Sequence, residues 1–288
     1  MDRASLLRIG DYSADWIRGF YAQASTWWGP DPQPPGVHEG RVEAVERLCG
    51  RGPKKVLDLG AGAGYTAAAM ADRGHTVVAV ESSPTRARHA QELAKVARKG
   101  SLTALEADFY AVSLDDRFDV VCLWEVFGLG SDADQRRLLR RIAQEWLVPT
   151  GSVLLDVYSP FRPARDAGTA VRLPPLTGVP GSVEMFERCH FDPLHCRWID
   201  EWEPTAAPEQ ALAQAVRCYT PADLLLLLEG TGLALQRIEV DGQLLDVQSS
   251  TIQRSGPLME AWIYLAQLVP DAALAARDSE LRCERASL

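Results

Sequence analysis

The stretch that most constrains this chain is KKVLDLGAGAGYT, residues 54–66. Residues 56–59 are apolar except for Asp58, which predicts a short buried strand. Gly60, Gly62 and Gly64 predict a tight turn, and residues 65–73 predict the helix that leaves it. Three alternate glycines let a ligand approach the backbone where a Cβ would collide, and they aim N–H groups of the helix's first turn into the gap. The chain is thereby committed to a strand–turn–helix unit with a nucleotide-like site at its turn.

The unit recurs along the chain. Apolar strand signals at 76–80, 101–106, 118–124 and 152–157 alternate with helix signals at 84–99 and 132–146, the signature of a mostly parallel sheet covered on both faces. Gly74 stands where a helix C-cap belongs, and Ser83-Pro84 supplies an N-cap and a first-turn proline. Residues 1–50 precede the first strand and concentrate aromatics: Tyr12, Trp16, Phe20, Tyr21, Trp27 and Trp28. The run GPDPQPPG at 29–36 interrupts them, because proline cannot continue a helix, and a second helix is predicted at 38–49. This part reads either as a lid over the site or as packing on the flank of the sheet.

After residue 157 the alternation stops. Residues 158–181 read as a long irregular connection, and 183–191 and 195–203 as two strands turning at Asp192-Pro193, an inserted antiparallel hairpin. A helix at 220–228 and strands at 233–240 and 261–268 resume the fold, and the tail at 271–288 reads as a helix. The expected organisation is a lid at 1–50, a core at 51–160, an inserted loop and hairpin cap at 161–217, the rest of the core at 218–270, and a tail at 271–288.

Composition narrows the classes. A length of 288 residues suits one α/β domain with additions, and 47% hydrophobic with 24% charged residues is ordinary for a globular chain. The net charge of −9 excludes nucleic-acid binding through a broad basic face. Arg136, Arg137, Arg140 and Arg141 are interleaved with Leu138, Leu139 and Ile142, as on a solvated helix face. Six cysteines form no CxxC pair, and no apolar run long enough for a leader or a membrane span is present, so a cytoplasmic protein that engages neither membrane nor nucleic acid is expected.

Glu81 ends the second predicted strand about 20 residues past the first glycine, where an acidic side chain can hold both hydroxyls of a ribose. That position alone fits a dinucleotide site equally well. Tyr65, however, occupies the place of the third glycine in GxGxxG, and Asp58 lies two residues before the loop, where its charge suits a cationic ligand better than a pyrophosphate. Together with VVAVESSP, EADF, FDVVCLWEVF and CYTPADLLLLLEGTGL, the stretch VLDLGAGAGYT resembles the class I S-adenosylmethionine-dependent methyltransferase family, strongly over residues 54–160 and weakly beyond.

The resemblance implies an α/β, Rossmann-like class I methyltransferase fold. Its seven-stranded, mostly parallel sheet would carry helices on both faces, with the N-terminal helical lid and the inserted hairpin added. It implies S-adenosylmethionine as cofactor, with Asp58, Gly60, Ala61, Gly62 and Gly64 along the methionine and ribose part and Glu81 with Ser82 at the ribose. Asp108 would accept from the adenine amino group and Phe109 would pack on the ring, while Trp124 and Glu125 would lie near the cofactor and the transferred methyl. Core packing is the competing reading for Phe109 and Trp124, and a surface carboxylate for Glu125.

Methyl transfer needs an acceptor placed in line, water excluded and, for some acceptors, a proton removed. Candidate bases are Glu125, His38, His190 and His195, and Tyr21 could position an acceptor. The symmetrical Cys189-His190 and His195-Cys196 invite a metal reading. Adjacent strand residues point to opposite faces, however, so neither pair converges on one ion and no metal site is assigned. The fourth strand ends in Leu123-Trp124-Glu125-Val126 rather than Asn/Asp-Pro-Pro-aromatic, which disfavours nucleobase and glutamine methylation. The expected activity is methylation at O, N or C of a small organic acceptor of natural-product type. The alternatives are an NAD(P)-dependent oxidoreductase and a non-catalytic S-adenosylmethionine-binding protein; a monomer and a homodimer are both compatible.

Overall fold

The computed structural model describes residues 17–29, 33–34, 36–177, 179, 181–247 and 256–272. Tyr12, Trp16 and most of the expected tail at 271–288 lie outside the described residues. Two helices lead, α1 (Ile17–Trp28) and α2 (Val37–Cys49). The core is then built as β1 (Lys55–Leu59), α3 (Tyr65–Asp72), β2 (Thr76–Glu81), α4 (Pro84–Ala94), β3 (Ser101–Glu106), β4 (Phe118–Leu123), α5 (Asp132–Arg141) and β5 (Leu147–Tyr158). Beyond it come α6 (Phe161–Asp166), β6 (Ala170–Leu173), β7 (Met185–Asp192), β8 (Arg197–Pro204) and β9 (Leu212–Arg217). The chain then returns to the core as α7 (Pro221–Leu228), β10 (Leu233–Val240), β11 (Gln243–Leu245) and β12 (Ile263–Pro270).

The central sheet runs β11-β10-β12-β5-β4-β1-β2-β3. Strands β1 to β5 pair in parallel, and β12, β10 and β11 join antiparallel. The three-residue β11 extends the expected seven strands to eight at one edge. Val56, Leu57 and Leu59 are fully buried because the sheet is covered on both faces, by a cluster with Leu138, Leu139 and Trp146 on one side and another with Val42, Val45 and Met70 on the other. Each such side chain contributes on the order of 2 kcal/mol through its removal from water. The chain steps from β1 outward through β2 and β3, then crosses to β4 and β5 on the other side of β1. Where the order reverses, the carboxyl ends of β1 and β4 open a crevice, the place where open α/β sheets bind ligands.

Local signals act where the sequence puts them. Ser131 with Asp134 and Thr220 with Asp223 form capping boxes at α5 and α7. Ser83 occupies the cap position of α4, but its hydroxyl makes no cap bond. Helix α4 also ends at Ala94 instead of reaching residue 99, and α5 passes into a π-turn at Ile142–Trp146 that delivers Trp146 into the core.

The expected hairpin is the centre of a larger element. Strands β7 and β8 pair from Met185↔Pro204 to Asp192↔Arg197, with β6 and β9 added on either side to give a four-stranded antiparallel sheet, β6-β7-β8-β9. This cap is tied to the core by a bridge between Leu129 and Val216, by the Arg217 N–H donating to the Gly128 carbonyl at 2.9 Å, and by the Arg197 guanidinium donating to the Gly130 carbonyl at 2.6 Å. Trp198 packs between Tyr158 and Trp262 in tilted ring contacts, with centroids 5.3 and 5.0 Å away.

Candidate active site

A cavity of about 430 Å³ lies over the β1/β4 crevice, between the sheet, α1, α2 and the cap. The glycine turn forms its base. Gly60 has φ 71°, and a Cβ there would meet Val126 Cγ1 at 2.6 Å; Gly64 has φ 85°, and a Cβ there would meet Ala90 at 2.7 Å. Gly60, Ala61 and Gly62 line the cavity, whereas Gly64 turns toward α4 and serves helix packing.

Asp58 enters the cavity from β1. It is 1% exposed, neither carboxylate oxygen has a hydrogen-bond partner among the described residues, and burial pushes its pKa up to about 7 against the opposing charge of Arg41. Glu81, at the end of β2, ties the turn to the next loop: its Oε2 accepts the Gly62 N–H at 2.9 Å and its Oε1 the Ser83 N–H at 2.7 Å. Ser82 and Phe109 also line the cavity. Asp108 does not; its Oδ1 accepts the Tyr110 N–H at 2.8 Å.

From β4 come Trp124 and Glu125. Glu125 has φ 58°, a left-handed conformation unusual for a non-glycine residue that stores on the order of 1 kcal/mol. Its carboxylate is ion-paired to Arg41 and accepts from Gln33 Nε2 at 3.2 Å. Arg41, on α2, also lies 3.7 Å from Asp156 and 5.4 Å from the Trp124 ring centre. One turn earlier, His38 has Nδ1 at 2.8 Å from Thr66 Oγ1 and stacks on Tyr65. Tyr21, on α1, carries Arg86 over its ring at 4.8 Å and donates its hydroxyl to Gln214 Oε1 at 3.2 Å.

Strand parity decides the cap's contribution. Leu173, Glu187, Trp198, Asp200, Trp202 and Gln214 share the inward face and line the cavity. His190 is on the outward face, 2.8 Å from Glu201, and His195 is at the hairpin tip, 2.7 Å from Asp192. The register that turns Glu187 inward turns His190 out, so His190, expected as a candidate base, does not line the cavity. Cys189 and His190 likewise face opposite ways, with the Cys189 thiol directed to the Pro163 carbonyl.

The structure thus brings Tyr21, His38, Asp58, Gly60, Ala61, Gly62, Glu81, Ser82, Phe109, Trp124 and Glu125 together, and leaves Gly64, Asp108 and His190 outside. Arg41, Arg86, Glu187, Asp200 and Gln214 join them without having been singled out from sequence. Arg41 comes three positions after His38 and so shares its helix face, a signal available from spacing alone.

The profile of the methyltransferase domain family matches residues 38–238. Among curated relatives, the chain is 35% identical over 119 residues to a cypemycin N-terminal methyltransferase of a Streptomyces species, covering 41% of this chain and 47% of that protein. It is 32% identical over 151 residues to a ubiquinone biosynthesis O-methyltransferase of Xanthomonas campestris, covering 49% of this chain and 59% of that protein. The chain therefore spans about half the length of the curated relatives it matches. Among solved structures, the CcbJ methyltransferase of Streptomyces caelestis superposes with a TM-score of 0.64 at 22% identity, covering 84% of this chain and 99% of that one, a likeness of fold.

Proposed function

Because this chain belongs to the methyltransferase domain family, we propose that it transfers the methyl group of S-adenosylmethionine to a small organic acceptor enclosed between the glycine turn and the cap. The observation that carries the reading is Asp58: a buried carboxylate with both oxygens unpartnered among the described residues, facing a cavity beside a glycine turn. A buried, unsatisfied carboxylate is costly, and a ligand bearing a cationic ammonium and sulfonium removes that cost. S-adenosylmethionine fits these residues. Asp58, Gly60, Ala61 and Gly62 would hold its amino-acid part, Glu81 and Ser82 its ribose, and Phe109 with Trp124 its flat and apolar parts.

When bound, the cofactor supplies a methyl carbon already activated by its positively charged sulfur. The protein's share is positioning and enclosure. The cap and α1 shield the cavity from water, and Tyr21, fixed between Arg86 and Gln214, presents a rigid ring to the acceptor. Glu125, engaged by Arg41 and Gln33, holds the wall after β4 as a positioning residue. His38, which lines the cavity with its Nδ1 2.8 Å from Thr66 Oγ1, would take the proton of an acceptor that has one to lose.

Calorimetric titration of the purified protein with S-adenosylhomocysteine and with NADH tests the reading. Micromolar binding of the first and none of the second is expected; absent binding of S-adenosylhomocysteine, or tighter binding of NADH, overturns it.

A further inference from the structure

The cavity holds a second buried carboxylate that the cofactor reading does not use. Asp200, on the inward face of β8, is 2% exposed and lines the cavity from the cap side. Its Oδ2 accepts from Trp202 Nε1 at 2.7 Å and from Gln214 Nε2 at 2.9 Å, while Oδ1 meets no donor among the described residues. Glu187 is its diagonal neighbour on β7, since Glu187 pairs with Trp202 and Cys189 with Asp200, so the two carboxyl groups lie side by side on the face that lines the cavity. Two carboxyl groups side by side on one buried face are relieved by a shared proton or by a cation between them. Burial and the like charge of Glu187 push the Asp200 pKa up to about 7, and burial raises that of Glu187.

The surroundings suit the cation. Tyr21, Trp28, Trp198 and Trp202 line the same cavity, and aromatic rings attract positive charge. The two arginines that line the cavity are committed elsewhere. Arg41 is held by Glu125 and Asp156, and Arg86 lies over the Tyr21 ring with its Nε–H on the Ser25 hydroxyl, 3.2 Å away. Tyr21 and Gln214 form a relay of hydrogen bonds that fixes the Asp200 carboxyl and leaves Oδ1 as its open atom. A carboxyl pair serving only to stiffen the cap would have no reason to open on the cavity.

We propose that Glu187 and Asp200 form the anchoring site of the acceptor, and that the acceptor is a protonated amine carried on an apolar or aromatic body. This rests on the methyl-transfer reading and narrows its substrate class. An ammonium donates to Asp200 Oδ1 and to Glu187 together, whereas an alcohol of the same shape leaves one buried charge uncompensated.

The test uses the full chain saturated with S-adenosylhomocysteine and titrated with benzylamine and, separately, benzyl alcohol. Benzylamine is expected to bind at least about tenfold more tightly than the alcohol. That preference is expected to vanish in Glu187→Gln and in Asp200→Asn, with S-adenosylhomocysteine affinity kept within about twofold. The prior titration also shows whether each variant is folded; if Asp200→Asn fails it, Glu187→Gln decides. Equal affinities for the two probes, no measurable binding of benzylamine, or a preference that survives in the folded variants overturns the proposal. Failure of S-adenosylhomocysteine to bind the unaltered protein is a separate result, and it overturns the methyl-transfer reading on which the proposal stands.

Discussion

Asp58 is a buried carboxyl without a partner among the described residues, and that burial costs the fold stability where the group is ionised. Its folded pKa of about 7 lies above the usual 3.8, so between those values the folded chain keeps a proton that the unfolded chain has lost. Stability from this group therefore falls as pH rises through the window, and the whole deficit is present by pH 8. Asp58→Asn removes the deficit together with the proposed anchor. The ligand-free variant is expected to melt above the unaltered protein at pH 8, with the gain shrinking toward pH 5. Its affinity for S-adenosylhomocysteine is expected to drop about 10- to 100-fold, the usual weight of a charged hydrogen bond. Calorimetry and melting curves at the two pH values check both halves. An unchanged affinity would remove Asp58 from the cofactor site, whatever the melting curves show.

At the scale of elements, α2 carries two cavity residues on one face, and Arg41 neutralises carboxylates from two different strand ends, Glu125 after β4 and Asp156 in β5. Asp156 is buried deeply enough that its pKa rises to about 7 even beside Arg41. Truncating the cation leaves both acids uncompensated, so Arg41→Met is expected to cost about 3 kcal/mol in urea unfolding. Arg41→Met with Glu125→Gln should recover part of that loss, and strict additivity of the two changes would show that the ion pair is not coupled. The strand–turn–helix unit at β1 was legible because its apolar run, three glycines and Asp58 are all local signals. Strands β6 and β9 were not: Ala170–Leu173 is mostly exposed and Leu212–Arg217, Leu-Ala-Gln-Ala-Val-Arg, has no clean period of two, so each is a strand only because β7 and β8 offer it an edge. For the same reason Glu187 and Asp200 escaped notice in the sequence. Their meaning depends on which face of the hairpin turns inward, and that face is set by docking against Leu129, Tyr158 and Trp262.

Across the whole molecule, acidic groups from three separate elements converge on one side of the sheet: Asp58 from β1, Asp156 from β5 and Asp200 from the cap. Each has a pKa raised to about 7 mainly by burial, with Glu81, Glu125 and Glu187 adding negative charge to Asp58, Asp156 and Asp200 respectively and Arg41 opposing the shift at Asp58 and Asp156. The ligand-free protein is therefore expected to lose stability as pH rises from 5 to 8, at about 1.4 kcal/mol per pH unit for each of these groups that is protonated in the folded chain and ionised in the unfolded one, the slope flattening above pH 7. His75 acts in the other direction, since burial lowers its pKa below 6.5 and stability from it rises with pH, but it is one group against three. A cationic ligand that pairs with Asp58 holds that carboxyl in its charged form, so saturation with S-adenosylhomocysteine should add about 2.7 kcal/mol at a hundredfold excess over its Kd. At one fixed ligand concentration it should add more at pH 8 than at pH 5, where binding has to displace a proton and Kd is weaker. Urea unfolding at pH 5, 6.5 and 8, with and without S-adenosylhomocysteine, measures both slopes. A ligand-free stability that is flat or rising over that range would mean that Asp58, Asp156 and Asp200 find partners in solution, and that the cavity is not poised to attract positive charge.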